Sequence, residues 1–102
     1  MNIIKIQEKQ AIEKLTQSGE EFISLLAINN LSVEIYKPDL VDKQKPHDRD
    51  EFYIIMSGSG IFELDGKTTP FQKGDLLFVP AFVEHRFIEF SDDFITWVFF
   101  IK

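Results

Sequence analysis

Turn signals recur along most of this chain at intervals of about eight to twelve residues, which leaves room between them for short strands and not for helices. Asp65-Gly66 in "IFELDGKTTPF" is the clearest, since both residues accept the positive φ that a two-residue hairpin needs. Asn29-Asn30 divides "EFISLLAINNLSVEIYKPD" into two apolar runs, and asparagine tolerates the same conformation. "QKGD" and "SDD" mark further turns, and Pro80 ends "LLFV" because proline brings no N–H to a ladder. The remaining strands are "EFYIIM", closed by "SGSG", then "EHRFIEF" and "FITWVFFI". About eight or nine such strands predict an antiparallel sandwich or barrel.

Several of these strands are apolar on both faces. One face fills the barrel, and the other packs on a second sheet, a helix or a partner subunit. Eleven phenylalanines in 102 residues point to a core or interface rich in that side chain. The one helix candidate is "EKQAIEKLTQ", residues 8–17, with Ile12 and Leu15 on one face and Gly19 as its stop. A short strand, "IIKI", precedes it, and "PDLVDKQKPHDRD" reads as a long polar loop. The length suits a single domain over 1–102, with 1–20 as an N-terminal extension and 31–102 as the barrel.

The formal charge of −6 repels phosphate backbones and argues against nucleic-acid partners. The chain has no cysteine, which excludes disulfides, thiolate metal sites and cysteine nucleophiles and fits a reducing cytoplasm. The N-terminal residues carry no apolar signal region, and no run approaches membrane-spanning length. A small cytosolic protein with no membrane partner is the expectation.

Two histidines are present, His47 and His85. His47 and Glu51 flank Asp48-Arg49-Asp50, a good turn sequence, and converge if the chain folds back there. Imidazole and carboxylate suit Fe(II), Mn(II), Ni(II) or Zn(II); as ordinary turn residues both would be solvated. His85 lies in "GDLLFVPAFVEHRF" and reads either as a hydrogen-bonded core residue or as a further ligand. Alternation groups Glu51, Tyr53 and Ile55 on one face, His85, Phe87 and Glu89 on another, and Ile95, Trp97, Phe99 and Ile101 on a third. Tyr53, Phe78, Phe87 and Trp97 are then candidates to line a pocket around the histidines, or simply to pack the core. Arg49 and Asp50 read as solvated turn charges.

These two stretches resemble the two motifs of the cupin superfamily. His47, Glu51 and Gly58 match the second histidine, the glutamate and the closing glycine of the first motif, and Gly74, Pro80 and His85 match the second. Lys45 fills the slot of the first histidine, and Phe82 fills the slot of the glycine after the proline. The resemblance spans roughly residues 31–102. It implies an all-β antiparallel double-stranded β-helix, the cupin or jelly-roll barrel, with the short N-terminal helix outside it. It also implies a divalent metal on His47, Glu51 and His85, with Gln44 as a possible weak oxygen ligand and Lys45 at the mouth. A protonated lysine has no lone pair to donate. Two histidines and one carboxylate leave open positions, as in non-haem iron oxygenases. The function implied is a metal-dependent enzyme, of dioxygenase or isomerase type, on a small organic molecule. The alternative is a non-catalytic binding module in which Lys45 pairs with a ligand carboxylate. Either is compatible with a homodimer joined through the Phe-rich last strand.

Overall fold

A computed structural model describes residues 1–101. Helix α1 (Glu8–Ser18) ends at Gly19, whose φ of +72° terminates it in the left-handed region. Eight strands follow: β1 (Phe22–Ile28), β2 (Leu31–Tyr36), β3 (Asp50–Ser57), β4 (Ser59–Leu64), β5 (Lys67–Gln72), β6 (Leu76–Val79), β7 (His85–Phe90) and β8 (Ile95–Ile101). They form a five-stranded sheet, ordered β1-β2-β8-β3-β6, and a three-stranded sheet, ordered β5-β4-β7. The paired strands in both are antiparallel. Asn29 (φ +49°) and Asp65-Gly66 (φ +49° and +80°) make the hairpins that their residue types predict. The "IIKI" stretch is not a strand: residues 3–6 pair with nothing in either sheet, and Ile3 and Ile4 are exposed.

The core between the sheets is aromatic. Phe87 sits at its centre, with ring centroids 4.7 Å from Phe94, 4.9 Å from Phe62 and Tyr53, and 5.3 Å from Phe71. Such tilted and edge-on contacts add to the area each ring buries. A second cluster lies on the opposite face of the five-stranded sheet, where Ala11 and Leu15 of α1 cover Ile35, Met56 and Ile95. The helix has no side-chain cap and is held by this packing.

Two layers explain why β8 is apolar on both faces, and they correct three expectations. Val98 and Phe100 point into the barrel, whereas Ile95 and Trp97 join the cluster under the helix. Trp97 is therefore not a pocket residue beside the histidines. Neither is Phe78, which is exposed on the outer face and packs its ring 4.9 Å from that of Phe52. Glu89 leaves the face it was expected to share with His85 and Phe87. The register moves from Phe62↔Phe87 to Ile61↔Glu89, so Ile88 is an extra residue and the alternation inverts after it.

"SGSG" is less a turn than a tight junction, because β4 already begins at Ser59. Gly60 lies within that strand, where a β-carbon would collide with the carbonyl oxygen of Glu89 and stand 2.8 Å from Phe90 Cα. Both are backbone atoms of the paired strand and cannot swing aside. Gly60→Ala should therefore cost about 3 kcal/mol, a fall in Tm on the order of 15 °C. Gly66→Asn, in a position with open space and a φ that asparagine accepts, should cost less than about 1 kcal/mol. Thermal denaturation of the two variants side by side checks both.

Candidate metal centre

Glu51 follows the turn at the start of β3, and the inward phase of that strand carries it, Tyr53 and Ile55 into the barrel. Its side chain is 0% exposed. His85 opens β7 on the facing sheet and is buried at the same end. His47 lies in the loop before β3, with its side chain 33% exposed. Two bonds hold that loop against the segment after Pro80. Phe82 N–H donates to His47 O at 2.6 Å, and Ala81 N–H donates to Asp50 Oδ1 at 2.9 Å. Asp50, expected to be a solvated charge, thus has a structural role.

The first of these bonds exposes a strain. Phe82 has φ +69° and is 74% exposed. A bulky side chain gains nothing there and meets the β-carbon penalty of the left-handed region, which accounts for the glycine slot noted above. Phe82→Gly should raise stability by about 1 kcal/mol, or Tm by about 4–8 °C. An unchanged melting curve would show that the loop relaxes elsewhere.

His47, Glu51 and His85 each turn one donor atom to a common point, and those atoms all lie within 4.8 Å of one another. His85 Nε2 is 3.1 Å and His47 Nε2 is 3.9 Å from Glu51 Oε1. The imidazole centroids are 5.4 Å apart. His85 Nδ1 lies 2.9 Å from Val83 O, which assigns its proton to Nδ1 and leaves the Nε2 lone pair facing Glu51. Among the described residues, both Nε2 atoms and both carboxylate oxygens of Glu51 are buried without a hydrogen-bond partner. Burial pushes His47 down from the ordinary imidazole range, against the pull of Glu51. Burial acts the same way on His85, but the Glu51 carboxylate and the Val83 carbonyl outweigh it and raise that pKa. Two imidazoles and a carboxylate with free lone pairs at this spacing fit a first-row divalent cation.

Of the other expected site residues, Tyr53 and Phe87 are buried in the core beside His85, with the Tyr53 ring centroid 6.3 Å from that of His85. Gln44 is not a free ligand: its Oε1 accepts from Tyr53 Oη at 3.0 Å, and its Nε2 donates to Asp42 at 3.1 Å. Lys45 is exposed and lines a depression with Glu63, Glu84 and His85, separate from the cleft that His47 borders.

Asp42 has no counterpart among the sequence expectations. It is 2% exposed and accepts from Tyr36 Oη (2.7 Å), Gln44 N–H (3.0 Å), Gln44 Nε2 (3.1 Å) and Phe87 N–H (2.9 Å). β7 is an edge strand, and the carboxylate satisfies an N–H that would otherwise need another strand. The polar loop is thereby fastened two residues from His85. An acid among the charges of "PDLVDKQKPHDRD" carries no mark of this in the sequence.

His47 also borders a cleft of about 330 Å³ whose walls include Glu34, Tyr36, Arg49, Val98 and Phe100. The Arg49 guanidinium carbon lies 4.7 Å from the centre of the Phe100 ring, a cation–π contact, so this residue is more than a turn charge.

A family model described as a cupin domain matches residues 32–101. An uncharacterised protein of Streptomyces coelicolor is 33% identical over 102 residues, covering 98% of this chain and 95% of its own length. Two solved structures share the fold. A cupin 2 conserved barrel domain protein from Salinispora arenicola superposes with a TM-score of 0.72 at 18% identity, covering 99% of this chain and 91% of that one. The plu4264 protein of Photorhabdus luminescens does so with a TM-score of 0.74 at 19% identity, covering 100% of this chain and 89% of that one.

Proposed function

The chain belongs to the cupin family, and we propose that it binds one divalent first-row cation on His47, Glu51 and His85 and takes a small organic molecule into the adjoining cleft. The observation that carries this reading is the group of four buried polar atoms with no hydrogen-bond partner at those three residues. Native structures seldom leave such atoms unpaired, and a cation would give each of the three side chains a partner at once.

The chain's own residues divide the work. Glu51 supplies the negative charge from the buried side. The bond to Val83 holds His85 in the tautomer that offers Nε2. His47 faces the cleft, and the aromatic core behind Tyr53 and Phe87 keeps water from the opposite side. Three protein donors leave positions for a ligand atom, and the bound ion would supply Lewis-acid polarisation of that atom. Catalysis of the dioxygenase or isomerase type is compatible with this arrangement.

Elemental mass spectrometry on protein purified without added metal or chelator tests the reading. Near one equivalent of iron, manganese, nickel or zinc is expected, falling to background in His47→Ala and His85→Ala while both keep the far-UV circular dichroism of a β protein. Retained stoichiometric metal in His85→Ala would refute the ligand assignment. A second reading rests on the 3.1 Å approach of His85 Nε2 to Glu51. A protonated His85 would pair with Glu51 without a metal, leaving a pure binding module. Protein that stays metal-free after soaking would favour it.

The exposed apolar side chains of Leu76 and Phe78 on the edge strand β6 support a homodimer. Light scattering should then give twice the 11.9 kDa chain mass.

A further inference from the structure

Of the four charged side chains that line the cleft beside His47 and that the metal reading does not use, Glu21 accepts from Asp39 N–H and Lys43 is exposed, which leaves Glu34 and Arg49. Arg49 has one near ion-pair partner, its exposed neighbour Asp48, at 3.9 Å. Glu34 stands in the middle of β2 on the inward phase it shares with Tyr36, opposite Val98. It is half-buried, and among the described residues no hydrogen bond or ion pair holds its carboxylate. Burial pushes its pKa up, Arg49 works against that shift and Glu51 adds to it. An acid on the inner face of a barrel strand is costly to keep without a partner.

The positions of these groups are related through one ring. The Arg49 guanidinium lies 4.7 Å from the centre of Phe100, and the His47 imidazole lies 5.0 Å from it, edge to face. Val98, the next inward residue of β8, is the one paired with Glu34. His47, Arg49 and Glu34 therefore surround the patch made by Val98 and Phe100, within reach of one small molecule. The guanidinium offers a planar fork that matches a carboxylate, and the Glu34 oxygens offer acceptors only.

We infer that the cleft binds a small organic carboxylate bearing a hydroxyl or ammonium group on the adjacent carbon, with its carboxylate on Arg49 and that donor on Glu34. This rests on the proposed function in one respect, that the ligand shares its cleft with the cation at His47. A ligand of this kind engages both groups at once. A simple carboxylate would leave Glu34 without a donor, and an uncharged alcohol would leave Arg49 with only its exposed neighbour Asp48. Lys45 does not line this cleft.

Calorimetric titration of metal-loaded protein with lactate, alanine, propionate and lactamide tests this. Lactate or alanine should bind at least about tenfold more tightly than propionate or lactamide. Arg49→Gln should weaken lactate and alanine about tenfold or more. Glu34→Leu should erase the preference for lactate over propionate while leaving propionate binding in place, a pattern that a merely structural role would not produce. Equal binding of lactate and propionate, unchanged affinity in Arg49→Gln, or no binding of any probe to loaded protein would each overturn the inference. Metal content measured on the same samples separates the two readings. Loaded protein that ignores lactate leaves the metal site standing, and metal-free protein that takes lactate through Arg49 keeps this subsite and counts against the metal.

Discussion

Removing bound metal with a chelator should lower the Tm of this protein by about 15 °C or more, and Glu51→Gln should abolish that response. A ligand that binds only the folded chain stabilises it by about 4 kcal/mol when its free concentration is roughly a thousand times Kd. In a domain of this size, each kcal/mol corresponds to about 4–8 °C. The unfolded chain cannot compete, because its three donors are scattered over a flexible coil. Glu51→Gln keeps the shape of the side chain but removes the only carboxylate among the candidate ligands. The variant should melt within about 5 °C of the stripped wild type and should not respond to added metal. Differential scanning calorimetry with and without chelator measures all four states. A wild-type Tm indifferent to the chelator would remove the metal from the account of this fold.

The second large effect falls on a residue that is neither a candidate metal ligand nor itself a wall of the cleft. Asp42→Ala should cost about 3–5 kcal/mol. Four donors lose their acceptor together: Tyr36 Oη, the Phe87 N–H and two from Gln44. Each buried donor left unpaired costs about 1–3 kcal/mol, less whatever water can restore. The loss is a large share of the 5–15 kcal/mol that holds a typical domain together, so the variant should melt some 15–25 °C lower. Gln44, freed from Asp42, would also hold Tyr53 less firmly. Metal affinity should fall as well, because the loop carrying His47 and the strand carrying His85 share this anchor. Urea denaturation together with metal titration measures both effects. If stability falls while affinity holds, the anchor serves the fold alone.

How much of this was legible beforehand depends on the kind of information each residue carries. Turn chemistry is local, so Asn29, Asp65-Gly66 and Gly74 marked their bends correctly, each now with positive φ. The three candidate ligands were legible because histidine is scarce here, and the spacing around each resembles a known motif. Phe82 was visible as a departure, but only the backbone angle shows what the departure costs.

The faces of the strands were another matter. Alternation identifies the inward face when the other face is polar, as at His85 and Phe87 on either side of the exposed Arg86. "ITWVFFI" is apolar at almost every position, so its pattern does not distinguish the barrel side from the helix side. That was decided by pairing with β2 and β3, which turned Val98 and Phe100 inward and Trp97 outward. The bulge at Ile88 is equally a product of pairing, since nothing in "HRFIEF" marks an extra residue. Asp42, Glu34 and Arg49 are acids and a base of unremarkable type in sequence. Their roles depend on which backbone N–H lacks a strand and which ring lies beneath a charge, and those are relations between segments far apart in the chain. The sequence alone thus indicated some eight or nine strands, one of them mistaken, most of the bends between them, and three residues to consider as ligands. The tertiary structure decided the inward faces, the anchor and the walls of the cleft, because burial and pairing are properties of contacts and not of residues taken in order.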